Sequence, residues 1–370
     1  MAVHRMFYTG SKILRTHVRE NSPATTVQCW ELNSRSGEIF FRENVAEILD
    51  PSFLVKHPSR EIYYGVAEQE PGFTRESLLL TWRKEMDGSW TEVGRQEVGG
   101  RCACHLSVHP NERFLMIACY VSGQFCLFPL DEEGVPGAER TVFTLEGEGA
   151  DPLRQTSPHA HFIATHPGGK WTYGTDLGTD RIYLLGLDEK NRWFFHPKQP
   201  FATSCSGAGP RHIAFDPAGH YLYVVNELSC TLDVFQCDPE TGILACAQSL
   251  SLLPERFYGQ ASGGAVTLHP SGRFLYVSLR GWNHVVVLRL NPPPISWRNR
   301  EAITVAEKIQ HVPSGGEEPR FIGLDPTGNF LLSCNQGSHR IVVYRVDSTT
   351  GKLWETGHEG ESPWCGCLVF

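Results

Sequence analysis

The chain has 370 residues, 41% hydrophobic and 20% charged, with a formal net charge of −8 at pH 7. That acidic balance argues against a nucleic-acid binder, which needs a basic surface to neutralise phosphates. No stretch of about 18 apolar residues is present to form a transmembrane helix, and the start MAVHRMFYTGSK lacks the apolar centre of a signal peptide, so a cytoplasmic protein with no membrane partner is expected.

From the N-terminus, the first strand-like runs are Met6 to Thr9, Thr26 to Leu32 and Glu38 to Arg42. One signature then recurs six times: His/Asp-Pro, a turn, and an aromatic or aliphatic run. It stands at His57-Pro58, His109-Pro110, His166-Pro167, Asp216-Pro217, His269-Pro270 and Asp325-Pro326, with prolines 52, 57, 50, 53 and 56 residues apart. A period near 50 holding several short strands is the pattern of a propeller blade. In one cycle, RHIAFD (211–216) is a strand and PAGH a turn, where Pro fixes φ and Gly is free to take φ > 0. YLYVVN (221–226), TLDVFQ (231–236) and Ile243 to Leu250 are the next strands. The histidines of the His-Pro turns read as turn residues. No 3.6-residue periodicity is sustained, so very little helix is expected.

After the sixth cycle one run remains, CGCLVF (365–370), while the N-terminal group lacks an innermost strand. Placing the run there removes the open sheet edges. The prediction is an all-β, seven-bladed β-propeller closed by its N- and C-terminal strands. It is a single domain over 1–370, whose N-terminal blade, 1–47, is completed by 362–370.

Twelve cysteines fall mostly inside strand-like runs, and the close pairs Cys102/Cys104 and Cys365/Cys367 are spaced C-x-C rather than CxxC. Alternation along a strand puts both members of such a pair on one face. Free thiols in a reducing compartment are expected.

Aligning the cycles on their prolines brings out a polar ring. Ten residues after the proline stand Glu68, Tyr120, Leu177, Glu227, Arg280 and Gln336; six before it stand Ser52, Cys104, His161, Arg211, Gly264 and Arg320. In an antiparallel pair these positions share one end of a blade, hence one mouth of the channel. A polar mouth can simply hold water. Ionisable and amide groups converging there also describe a binding site. His159 and His161 alternate onto one side of their strand, but without further ligands they make no metal site.

The segments HPNERFLMIACYVSG (109–123), RQTSPHAH (154–161), DLGTDRIYLLGLD (176–188), GAGPRHIAFDPAGHYLYVVNELSCTLDVF (207–235), HPSGRFLYVSLRG (269–281) and EPRFIGLDPTGNFLLSCNQGSHRIVVYRVD (318–347) carry a resemblance. They resemble the propeller lactonases of the 6-phosphogluconolactonase type, a family related to the fungal carboxy-cis,cis-muconate cyclases. The resemblance implies a seven-bladed propeller without an obligate cofactor, and no metal is expected. It also implies a site of one His, two Arg and one Glu, which falls on His161, Arg211, Glu227 and Arg280. His159, Arg154, Asp176, Glu68, Tyr120, His212, Arg320 and Gln336 are candidate substrate-binding residues around it. The family's usual acid is missing from the stretch 260–267, and Cys119 and Leu279 stand where Asn is usual.

Lactone hydrolysis needs a base to activate water and donors for the oxyanion. His161 suits the base by its ordinary pKa near 6.5. Glu227 suits it only if burial or a like charge such as Glu68 raises it toward neutrality. Arg211 and Arg280 are expected to grip a substrate carboxylate or phosphate between them. The same set also fits a cycloisomerase of the muconate-lactonizing kind, and a propeller can be a non-enzymatic binding module. The expected partner is a small-molecule lactone or carboxylate; the oligomeric state stays open.

Overall fold

The computed structural model describes residues 3–13, 25–67, 75–291 and 305–370. The cycle read at 211–250 is built as four antiparallel strands in sequence order, Pro210–Phe215, Tyr221–Asn226, Thr231–Cys237 and Leu244–Ser251. Tyr221–Asn226 is buried along its whole length, because blades pack against both of its faces. The outermost strand, Leu244–Ser251, is mostly accessible. In the turn between the first two strands, Gly219 takes φ +74°.

Seven such sheets form among the described residues, and these contain no helix. The innermost strands touch in a closed circle: Cys365–Val369, Pro51–Lys56, Ala103–Val108, Ala160–Thr165, Pro210–Phe215, Ser262–Leu268, Pro319–Leu324, and back to Cys365–Val369. We number the blades 1 to 7 in that order. In blade 1, Cys365–Val369 hydrogen-bonds to His4–Ser11, followed by Thr26–Asn33 and Ile39–Glu47. The last strand of the chain is therefore the inner strand of the first blade. Blade 4 differs at its rim, where Trp193–Phe195 and Phe201–Thr203 both pair with Arg181–Leu187.

The core lies between blades rather than in one centre. Blades 5 and 6 bury Tyr223, Val225, Leu232, Leu275 and Val286 together, and blades 7 and 1 bury Phe7, Trp30, Phe330 and Ile341. Each such side chain contributes roughly 1.5–3 kcal/mol by leaving water. The His-Pro turns add polar staples. His166 Nδ1 accepts from Gly168 N at 2.9 Å, so Nε2 carries the proton and donates to Gly219 O of the next blade at 2.7 Å. His269 repeats the arrangement toward Gly328 O. Tyr173 and Tyr276 donate from their hydroxyls to Gly242 O and Gly351 O one blade on.

All twelve cysteines are free thiols, and only Cys205 and Cys246 are exposed. The C-x-C alternation does not hold at 365–367. Cys365 packs into the seam between blades 7 and 1, and Cys367 into the opposite seam. Gly366 between them is skipped by the pairing, which turns one thiol to the other face.

Candidate active site

The skip at Gly366 recurs at the same end of every other inner strand. Ser52, Cys104, His161, Arg211 and Arg320 each stand unpaired between two paired neighbours, as do Gly264 and Ala265 in blade 6. A β-bulge re-aims the residue it contains. The first-strand residues picked out by alignment are thus the bulge residues of their blades. The bulge is also why the following residue faces the axis. Phe53, His105, Phe162, His212 and Phe321 form an aromatic layer, with ring centroids 3.5 Å apart for His105–Phe162, 4.8 Å for Phe162–His212 and 5.7 Å for Phe53–Phe321. Phe53 of blade 2 also meets His212 of blade 5 at 6.4 Å, a contact that must cross the channel. His212, expected as a substrate ligand, belongs to this floor.

Above the floor, Glu227 is the hub. Its Oε2 accepts from Arg211 Nε at 3.0 Å and pairs with Arg280 Nη2 at 2.8 Å; its Oε1 accepts from Arg154 Nη2 at 2.7 Å. Arg211 is almost fully buried and also donates from Nη1 to Gly264 O at 2.8 Å. Arg154 comes from the loop ahead of blade 4, where Asp151 accepts from its backbone N–H, and also bonds the Tyr120 hydroxyl at 3.2 Å. Burial pushes the Glu227 carboxyl up, but the guanidiniums of Arg280, Arg211 and Arg154 outweigh it and hold the group well below the usual carboxylate range. The condition under which Glu227 would serve as base, a carboxyl raised toward neutrality, is thus not met. The expected grip of Arg211 and Arg280 on a substrate anion is corrected in one respect: both already hold the protein's own Glu227 carboxylate.

His161 lies beside this cluster. Burial first, and then Arg211, push its pKa well below the usual imidazole value, so the ring is neutral at pH 7. Its Nδ1 is 3.9 Å from Cys104 Sγ, and its Nε2 makes no hydrogen bond with a described residue. Tyr120 touches two histidines of the neighbouring blade, stacked on His159 at 4.3 Å and edge-on to His161 at 5.6 Å. His159 Nδ1 donates to Tyr120 O at 3.0 Å, leaving Nε2 as an acceptor.

The remaining candidates divide. Asp176 is fully buried, its Oδ1 accepting from His159 N (2.6 Å) and Gly178 N (3.0 Å) and its Oδ2 from the Thr179 hydroxyl (2.6 Å). It braces the segment carrying His159 instead of lining the mouth. Arg320 and Gln336 lie at the mouth end of blade 7, next to Arg280. Glu68 lies outside the described residues. The alignment missed Lys12. Its N–H bonds Trp364 O as Tyr120 N–H bonds Cys102 O and Glu227 N–H bonds Gly209 O, so Lys12 is the rim residue of blade 1. Its Nζ is 3.3 Å from Asp50 Oδ2. It has no His/Asp-Pro signature because the inner strand of its blade lies at the other end of the chain. Among the described residues, no group of three or more His, Cys, Asp or Glu side chains is arranged to hold a metal ion.

The family model described as a seven-bladed β-propeller lactonase matches residues 14–370. A 6-phosphogluconolactonase of Bacillus subtilis is 27% identical, over 93% of this chain and 94% of its own. One of Pectobacterium carotovorum is 30% identical, over 88% and 90%. The solved structure of a periplasmic gluconolactonase of Pseudomonas aeruginosa superposes with a TM-score of 0.87 at 23% identity, covering 100% of this chain and 99% of that one, a likeness of fold.

Proposed function

The chain belongs to the seven-bladed β-propeller lactonase family, and from that premise we propose that it hydrolyses an anionic sugar lactone of the 6-phosphogluconolactone kind in the cytoplasm. The observation that carries the reading is the buried Glu227 carboxylate gripped by Arg154, Arg211 and Arg280 beside a neutral His161. Three guanidiniums against one carboxylate leave positive charge at the mouth, which attracts an anionic substrate.

In the proposed reaction, His161 Nε2 takes a proton from water as the water oxygen bonds to the lactone carbonyl carbon. The charge that develops on the carbonyl oxygen faces guanidinium N–H groups already fixed by Glu227, so little reorganisation is needed. The ring C–O bond then breaks, and the departing alkoxide recovers the proton from His161 as a hydroxyl. Glu227 stays ionised throughout. It holds the arginines in place and supports the imidazolium that forms transiently. The test is acid release at constant neutral pH from 6-phosphogluconolactone and glucono-δ-lactone. Acceleration over the spontaneous rate that is lost in His161→Asn supports the reading; no acceleration with either lactone overturns it.

A further inference from the structure

Three side chains at one corner of the mouth keep polar atoms that no described residue pairs with. Arg280 uses Nη2 on Glu227 and on Gly263 O, but its Nε–H is buried and unbonded. Arg320, the bulge residue of blade 7, makes no hydrogen bond or ion pair with a described residue. Gln336 is fully buried; its Nε2 donates to Lys12 O, which fixes the amide orientation and leaves Oε1 as an acceptor without a donor. Blade 7 places Arg320 and Gln336 together, since Pro319 pairs with Asn335 and Gln336 N–H bonds Glu318 O. Arg280 lies at the adjacent rim position and repels Arg320.

Buried polar groups are almost always satisfied, and an unpaired one costs about 1–3 kcal/mol. Arg280 Nε–H and Gln336 Oε1 are such buried groups, and with the half-buried Arg320 guanidinium beside them they mark a place that a ligand completes. The arginines of the Glu227 half are already committed to a carboxylate; Arg320 is not. Burial, with the positive charge of Arg280, drags the Arg320 pKa down, and an anion would relieve that repulsion.

We propose that Arg320, Arg280 Nε–H and Gln336 Oε1 form a second subsite that grips the end of the substrate remote from the reacting carbonyl. Arg320 and Arg280 donate to an anionic oxygen, and Gln336 Oε1 accepts a hydrogen bond from an adjacent hydroxyl. This rests on the lactone reading for the identity of the reacting end. The ligand it fits is an open or lactonised polyhydroxy acid with a second anionic group, either a phosphate or a second carboxylate.

The test uses the purified full chain as wild type, Arg320→Met, Arg320→Lys and Gln336→Leu, with thermal melting to confirm folding. Arg320→Met is expected to lower the ratio of kcat/KM for 6-phosphogluconolactone over glucono-δ-lactone about 10-fold or more, the scale of a charge-assisted hydrogen bond, mainly through KM. Arg320→Lys recovers part of that ratio, and Gln336→Leu raises KM for both lactones. An unchanged ratio in both Arg320 variants overturns the subsite. Binding is read separately by calorimetry with 6-phosphogluconate and with glucarate, which carry the second anion as phosphate and as carboxylate. If neither lactone is hydrolysed but one acid binds and loses about 10-fold in Arg320→Met, the subsite stands and the hydrolase reading falls. If neither acid binds the wild type, or the Arg320 variants bind both as tightly, the subsite falls whatever the lactones do.

Discussion

Arg211 Nε and Glu227 Oε2 lie 3.0 Å apart, one from a bulge in the inner strand of blade 5 and the other just past the second strand of the same blade. Both are almost wholly buried, so neither charge has water as a substitute partner. Removing one member of a buried pair is costly because the other is stranded. Here Glu227 also separates three arginines, so its charge has consequences beyond one contact.

Glu227→Gln keeps the shape and removes the charge. The three guanidiniums then lack their counter-ion and bind the substrate anion more tightly in the ground state. The expected outcome is a kcat lower by about 10²-fold with KM unchanged or lower, since the support for the imidazolium and the fixed donor geometry are both lost. Steady-state kinetics decide it; a raised KM with normal kcat would place Glu227 in substrate binding alone.

Arg211→Lys keeps a positive charge but cannot bond Glu227 and Gly264 O together, because the planar fork is gone. A loss of about 1–3 kcal/mol in transition-state stabilisation is expected, read as kcat/KM. A variant with wild-type kcat/KM would show that position and charge alone suffice there.

If His161 is the base, the acid limb of the kcat/KM profile lies below 6.5. Its pKa is depressed, so the neutral, proton-accepting form persists to lower pH than for an ordinary imidazole. A limb at or above 6.5 would move the base elsewhere, His159 with its free Nε2 being the next group to test.

The blade count and the ring closure could be read in the residues because the proline signature is periodic and a leftover C-terminal strand has only one place to go. The mouth residues were legible for a related reason: a fixed offset from the turn is a fixed height in the blade. What the residues did not reveal is the bulge. Period-2 alternation has no symbol for a skipped residue, so it puts Cys365 and Cys367 on one face and gives no sign that His212 forms part of the channel floor. The state of Glu227 was hidden too, because it depends on how closely the guanidiniums of Arg280, Arg211 and Arg154 approach its carboxylate. Lys12 was invisible to an alignment anchored on prolines, its blade having none at that point.

Three buried histidines make stability pH-dependent. His105, His161 and His212 all have pKa values pushed well below the ordinary one, by burial first and by Arg211 next. Below about pH 6.5 the unfolded chain binds protons that the folded chain excludes, so stability is full above that pH and is lost as pH falls. Each such group contributes a slope of about 1.4 kcal/mol per pH unit, so three give at most about 4. Melting temperature should fall steeply between pH 6.5 and 5. His105→Phe, which keeps a ring against Phe162, should make the fall shallower. A melting temperature flat over that range would mean that the histidines take up protons within the folded channel.

The last strand of the chain closes the ring between blades 7 and 2. Cys365–Val369 bonds His4–Ser11 through Tyr8↔Val369, Thr9↔Leu368 and Gly10↔Cys367, and packs Cys365 and Leu368 into one seam and Cys367 into the other. Deleting residues 365–370 removes these contacts and opens the pairing edge of His4–Ser11, while the inner strands of blades 2 and 7 lose the neighbour between them. Unpaired edges of that kind template aggregation. The truncated chain should be recovered largely as aggregate, or melt well below the intact protein with non-native oligomers in size-exclusion chromatography. A soluble truncated protein with unchanged melting would mean that the ring holds without its seventh inner strand.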